Sequence, residues 1–171
     1  KLSKRTGKSI TLKDLVEDTS KDAVRYFFTS RSIDTMMDYD VDLALKKNNE
    51  NPVYYVNYAH ARICSILKDH EVKAEDGYKF ETINSDSAYN VLVKLKEFEK
   101  VVEKSARNYE PHLITNYVYE LASLFHSYYA KEKIVTDDVK YTNERLMLCK
   151  AVKITIYNAL NLIGIKSPER M

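Results

Sequence analysis

Residues 51–67, NPVYYVNYAHARICSIL, decide how the rest of the chain is read. Pro52 opens a helix near a first-turn position that proline tolerates, and the pattern predicts that this helix runs to about Asp69. At about 100° per residue, Val53, Val56, Ile63 and Leu67 share one face, while Tyr55, Tyr58, Arg62 and Ser65 fall within about 80° of one another on the far side. A helix that needed only packing would turn its aromatics inward and place Lys or Glu outside. The pattern therefore predicts two rings and a guanidinium facing outward, a platform for stacking something flat and anionic. An unstacked RNA base with its phosphate has that chemistry.

On the N-terminal side, Val41 to Asn49 reads as a helix and residues 32–40 as a polar loop. Ala23, Val24, Phe27 and Phe28 repeat at helical spacing within Asp22 to Arg31, with the acid in the first turn and the base in the last, as the helix dipole favours. Residues 1–13 read as a flexible basic loop in which Gly7 allows a tight bend, leading through a short extended piece into a turn of helix at Leu12 to Glu17.

On the C-terminal side, residues 70–82 lack periodicity, contain Gly77 and read as a linker of variable conformation. Ser85 to Lys96 and Glu97 to Ser105 give two helices or one bent one. Pro111 starts another, whose Leu113, Ile114, Tyr117, Val118, Leu121, Leu124, Phe125 and Tyr128 cover an arc of about 140°. The last helix, from about Tyr141 to Ile163, is apolar nearly all round and reads as enclosed by others, with Gly164 as its stop. The expectation is an all-α bundle from about residue 41 onward, with the loop and helix before it as a separate lead-in.

Three Gly and three Pro with 44% apolar and 30% charged residues agree with a helical protein, and 171 residues are enough for one good core or one domain plus a short appendage. Fourteen Tyr and no Trp fit a surface that both packs and stacks. A net charge of +2 argues nothing about nucleic acid by itself, so a binding surface must come from local clustering. Lys1, Lys4, Arg5, Lys8 and Lys13 all precede the first acid, Asp14, and form one such cluster. Cys64 and Cys149 read as reduced core residues, and the four His show no ligand spacing, so no metal site is expected. No apolar stretch approaches the roughly 20 residues of a membrane span.

Gly7-Lys8-Ser9 resembles the end of a phosphate-cradling P-loop, but the first glycine of that pattern would fall at Leu2. Lys1-Leu2-Ser3-Lys4-Arg5 fits another phosphate motif, the KMSKS loop of class I aminoacyl-tRNA synthetases, with Leu2 in place of Met and Arg5 in place of the last Ser. KLSKRTGKSITLKDLV, DAVRYFF, NPVYYVNYAHARICSIL and the final SPERM follow in that order. Together they resemble the C-terminal part of bacterial arginyl-tRNA synthetases over essentially the whole chain. The YAHAR helix and Pro168-Glu169-Arg170-Met171 are the most specific pieces.

The resemblance implies a division into the end of a catalytic region at 1–45 and an α-helical anticodon-binding domain at 46–171. It implies that Tyr55, Tyr58, Arg62, Tyr129 and Met171 contact the anticodon loop of an arginine tRNA. Lys4, with Lys1 and Ser3, would neutralise the phosphates of ATP, a substrate of the intact ligase that is expected with Mg2+. The upstream catalytic domain would hold the arginine and ATP pocket. A first residue of Lys rather than Met suggests that this part is missing, so the chain alone should be inactive. The other partners implied are neither membrane nor DNA, and the protein would be a cytoplasmic monomer.

Blander readings of the same residues stay open on sequence alone. Tyr55 and Tyr58 could pack against a neighbouring helix, Arg62 could serve a surface ion pair, Tyr129 lies at the margin of its apolar arc, and Met171 could be a frayed end. His60 reads as a packed, hydrogen-bonded histidine, and His126 carries no role. The whole tyrosine face could instead dock a protein, as a helical interaction module. The bundle could also belong to a related class I synthetase, such as that for cysteine.

Overall fold

A computed structural model describes residues 10–73 and 78–171. All regular structure among them is helical: α1 (Leu12–Asp18), α2 (Lys21–Thr29), α3 (Val41–Leu45), α4 (Pro52–Lys68), α5 (Asp86–Lys96), α6 (Phe98–Asn108), α7 (His112–Lys131) and α8 (Val139–Leu162). Short polar side chains start most of them by accepting hydrogen bonds from otherwise orphaned backbone N–H groups. Thr11 and Asp14 form a reciprocal capping box on α1, and Ser20, Asp40, Ser85 and Asp138 cap α2, α3, α5 and α8.

Helix α7 runs through the middle of the bundle, against α4, α5, α6 and α8, and α4 also packs on α8. The core joins the predicted stripes of α4 (Val56, Ile63), α7 (Val118, Leu121, Phe125) and α8 (Val152, Ile156) to Val91 of α5, all without exposed surface. Each such side chain contributes about 1.5–3 kcal/mol by leaving water.

Several differences from the sequence expectations have local causes. Helix α3 stops at Leu45 rather than near Asn49, because Asn51 reaches back and donates through Nδ2 to the carbonyl oxygens of Ala44 (3.0 Å) and Lys46 (2.8 Å). The same side chain accepts from Val53 N through Oδ1 at 3.0 Å, so one buried Asn ends α3 and caps α4. Helix α8 is not enclosed all round. Ile154, Tyr157 and Leu162 are about half exposed, on the side that no neighbour covers. Helix α2 is not a detached lead-in. Ala23 and Tyr26 are buried in the shared core, and Arg25 Nε donates to Ile163 O at 3.0 Å.

The tail after α8 is pinned in the same way. Gly164 takes φ 70°, which strains any other residue, and a Cβ there would project to within 2.6 Å of the Arg25 guanidinium and push it aside. Lys166 N donates to Asp22 Oδ2 (3.3 Å), His60 Nδ1 meets Pro168 O at 2.9 Å, and Lys153 pairs with Glu169 at 3.7 Å. His60 is the packed, hydrogen-bonded residue expected.

The segment 78–82 is also ordered rather than a variable linker. Glu144 and Arg145, on the buried side of α8, capture it. Glu144 accepts from Glu81 N (3.0 Å), Thr82 N (2.7 Å), Thr82 Oγ1 (2.7 Å) and Tyr78 OH (3.3 Å). Arg145 donates to Thr82 O (3.2 Å) and Oγ1 (3.1 Å), pairs with Glu132 at 3.6 Å and lies over the Tyr141 ring.

Candidate nucleic-acid interface

The tyrosine face of α4 does not look straight into water. Tyr55, Tyr58 and Arg62 are half-buried, because α7 runs beside them, and of the predicted face only Ser65 is exposed. Tyr55 is the most committed to packing. Its ring centroid lies 4.5 Å from that of His126 and 5.3 Å from that of Tyr119, and it borders the hydrophobic core. The expectation of two equivalent outward rings is corrected on this point: Tyr55 forms a wall, while Tyr58 borders both pockets beside this face.

Tyr58 and Tyr54 sit one turn apart with their rings nearly parallel, 9° between planes and 6.1 Å between centroids. Across the groove α7 supplies Tyr129, half-buried against Phe125 as its place at the margin of the apolar arc implied. Arg62 lies between the two helices. Its guanidinium carbon is 4.7 Å from the centroids of both Tyr58 and Tyr129, and Nη2 donates to the Tyr58 hydroxyl. Among the described residues no carboxylate lies within ion-pair distance of Arg62. The ion-pair reading is therefore replaced by a cation clamped between two rings, its charge uncompensated among the described residues.

This Tyr58–Arg62–Tyr129 ridge separates two open pockets. One, about 610 Å³, is lined by Tyr54, Tyr55, Tyr58, Arg62, His126 and Tyr129 and bordered by Lys47, Asn48 and Asn49 from the α3–α4 turn. The other, about 390 Å³, lies between the ridge, Ser65, Ile66 and Met171. The pinned tail thus delivers Met171 to the same locus as Tyr58, Arg62 and Tyr129. Lys1, Ser3 and Lys4, with the rest of the basic strip except Lys13, lie outside the described residues. Lys13 is exposed on α1 and pairs with Glu17 at 3.7 Å.

Sequence reasoning missed Tyr54, His126 and the 47–49 turn. The i, i+4 spacing of Tyr54 and Tyr58 was a usable signal for the first. Nothing local marked His126, whose place in the groove depends on how α7 lies against α4. Burial chiefly, together with the nearby Arg62 charge and against the pull of the Tyr55 carbonyl, holds the His126 pKa below the usual histidine range. Cys64 and Cys149 are free thiols, and burial pushes Cys149 up to about 12. Among the described residues no helix is long and apolar enough to cross a membrane, and no group of three His, Cys, Asp or Glu could hold a metal ion.

Comparison with known proteins gives a consistent result. The model of the DALR anticodon binding domain matches residues 56–171. Arginine–tRNA ligases of Bacillus subtilis and Halalkalibacterium halodurans are each 48% identical over 175 aligned positions, covering 100% of this chain and 32% of theirs. The chain thus spans about a third of the length of the curated relatives it matches. Among solved structures, an arginyl-tRNA synthetase from Campylobacter jejuni superposes with a TM-score of 0.86 at 30% identity, over 99% of this chain and 37% of its own. The Thermus thermophilus arginyl-tRNA synthetase shares the fold, with a TM-score of 0.78 at 24% identity over 98% of this chain and 29% of its own.

Proposed function

This chain belongs to the DALR anticodon-binding family, and from that premise we propose that it is the tRNA-binding part of an arginine–tRNA ligase, with the α4–α7 groove holding the splayed anticodon loop of an arginine tRNA. The observation that carries the reading is Arg62, a cation fixed between two tyrosine rings with no ion-pair partner among the described residues. That arrangement costs desolvation and is repaid when an anion binds beside a stacked ring. Bases would stack on Tyr58, Tyr54 and Tyr129 at about 1–3 kcal/mol each, while Arg62 and Lys47 take phosphates. Tyr55 would shape the pocket wall, and Met171 would close the second pocket.

The whole ligase would attach arginine to this tRNA using ATP. Lys4, with Lys1 and Ser3, would act on the ATP phosphates beside Mg2+ in the catalytic region, to which residues 1–45 belong in this reading. The share of the work left to residues 46–171 is recognition, by a cytoplasmic monomer whose partners are the tRNA and its own catalytic domain rather than DNA or a membrane.

The test is binding of the chain to arginine tRNA and to the same tRNA with its middle anticodon base changed, at several salt concentrations. The expected result is weaker binding of the changed tRNA and a steep fall with salt, since each neutralised phosphate releases counterions. Equal affinity for both would reduce the function to nonspecific RNA binding. Binding of neither RNA would remove it.

A further inference from the structure

His126 lies one turn before Tyr129 on α7, with its ring against Tyr55 and 5.8 Å from Tyr58 in near-parallel orientation, 23° between planes. Its Nε2 is 3.2 Å from the carbonyl oxygen of Tyr55. A carbonyl only accepts, so Nε2 carries the proton, and in the neutral ring Nδ1 is a bare lone pair. Burial and the neighbouring Arg62 charge keep the ring neutral near physiological pH.

Nδ1 has no hydrogen-bond partner among the described residues, and it is not one of the buried side-chain atoms that lack a partner. It is therefore not fully buried, and the residue lines the larger pocket. The charged side chains on that lining, Lys47 and Arg62, can only donate, the Tyr58 hydroxyl already accepts from Arg62, and the hydroxyls of Tyr54, Tyr55 and Tyr129 can turn to donate or accept. Backbone contacts fix two side-chain acceptors on the same lining: the Asn48 amide oxygen, which already takes the Glu50 N–H at 3.0 Å, and His126 Nδ1, which no donor among the described residues occupies.

We infer that His126 is a specificity-determining residue of this pocket, its Nδ1 accepting a hydrogen bond from an exocyclic amino group on the edge of the bound base. The inference rests on the RNA reading of the groove and names the chemistry it selects: an amino-bearing edge, as on cytosine or adenine, over a carbonyl at the same place. A carbonyl oxygen there would face a lone pair and leave both groups unpaired, which discriminates more strongly than a lost methyl contact.

The test uses the full chain and a synthetic anticodon stem-loop of an arginine tRNA, with binding followed by fluorescence anisotropy. Cytidines and adenosines of the loop are replaced one at a time by pyrimidinone and purine ribosides, which lack only the amino group. With the wild type, one replacement should weaken binding about three- to tenfold, the size of one hydrogen bond. With His126→Phe the same replacement should change nothing, and His126→Gln, whose amide oxygen can accept, should restore part of the penalty. A penalty that persists in His126→Phe, or a wild type that binds the parent stem-loop yet is indifferent to every replacement, overturns the acceptor role and leaves the RNA reading standing. A wild type that does not bind the parent stem-loop overturns both. Should His126→Phe fail to fold, the wild-type replacement series and His126→Gln still decide the outcome.

Discussion

Arg62 and Arg145 are both half of an arginine–tyrosine stack, yet they serve opposite ends. Arg145 is 2% exposed, lies over Tyr141, donates twice to Thr82 and pairs with Glu132, while Glu144 beside it gathers the backbone of residues 81 and 82. Its charge is answered within the protein. Arg62 lies between Tyr58 and Tyr129 with its charge unanswered among the described residues and two pockets at its sides. The contrast teaches what separates a structural cation from a binding one: not the aromatic partner, which both have, but whether the protein itself supplies the anion.

The largest expected effect breaks the structural half of this pair. Glu144→Ala would leave the Glu81 and Thr82 N–H groups without their acceptor and Arg145 without its neighbouring charge. Removing one side of a buried charged network costs about 3–5 kcal/mol, read as a fall in the urea midpoint with an unchanged slope. Affinity for tRNA, measured where the variant is still folded, should stay within about twofold. A stability loss below about 1 kcal/mol would mean that water replaces the network at little cost.

Tyr58→Ala probes the binding half. The expected loss is about 1–3 kcal/mol of RNA affinity at fixed salt, with a smaller cost to stability because the ring is only half-buried. Unchanged affinity would erase the distinction between the two arginine sites, since Tyr58 would then be packing like Tyr141. Arg62→Gln should act more gently on affinity and more visibly on its salt dependence. Losing one phosphate contact to a single strand lowers the slope of log K against log salt by about 0.7. Arg62→Lys should keep that slope while giving up the planar stack between the rings. Equal slopes for wild type and Arg62→Gln would show that Arg62 never meets a phosphate.

The two regions were not equally legible in the sequence. Every long helix followed from apolar periodicity, and on α4 Val53, Val56 and Ile63 are buried as read, with Leu67 partly so, because a 3.6-residue repeat places them on one face whatever lies opposite. The same arithmetic says nothing about which helix will lie along the other face. It therefore predicted an open platform where α7 in fact contributes Tyr129 and His126 to a groove. Glu144 and Arg145 were invisible for a related reason: two adjacent charges in an apolar helix acquire meaning only from the 78–82 segment that they capture, some sixty residues earlier in the chain. The end of α3 failed through Asn51, whose double use as cap and carbonyl donor is a tertiary fact.

The smallest expected effect concerns protons and sharpens the contrast within the histidines. His60 Nδ1 donates to Pro168 O, and its Nε2 is buried without a partner, so a second proton would have nowhere to bond. His126 carries its proton on Nε2, and its Nδ1, which is not fully buried, has no partner among the described residues. Burial is the main cause that lowers the pKa of both from the ordinary 6.5. For a group whose folded value lies below its unfolded one, the stabilisation is complete above 6.5 and is lost as pH falls through the folded value. Glu144 behaves in the same direction at lower pH. Burial alone would raise it, but the hydrogen bonds from Thr82, Glu81 and Tyr78 prevail and hold it below 4.5, so its contribution is lost only as pH falls further. The acid limb of stability should therefore come in two stages, the first belonging to the histidines. His126→Phe should shrink that first stage without abolishing it, because His60 still titrates, and should leave the second untouched. Urea midpoints collected from neutral pH downward would show this, and a first stage of equal size in wild type and variant would mean that His126 is free to take up a proton in the folded protein.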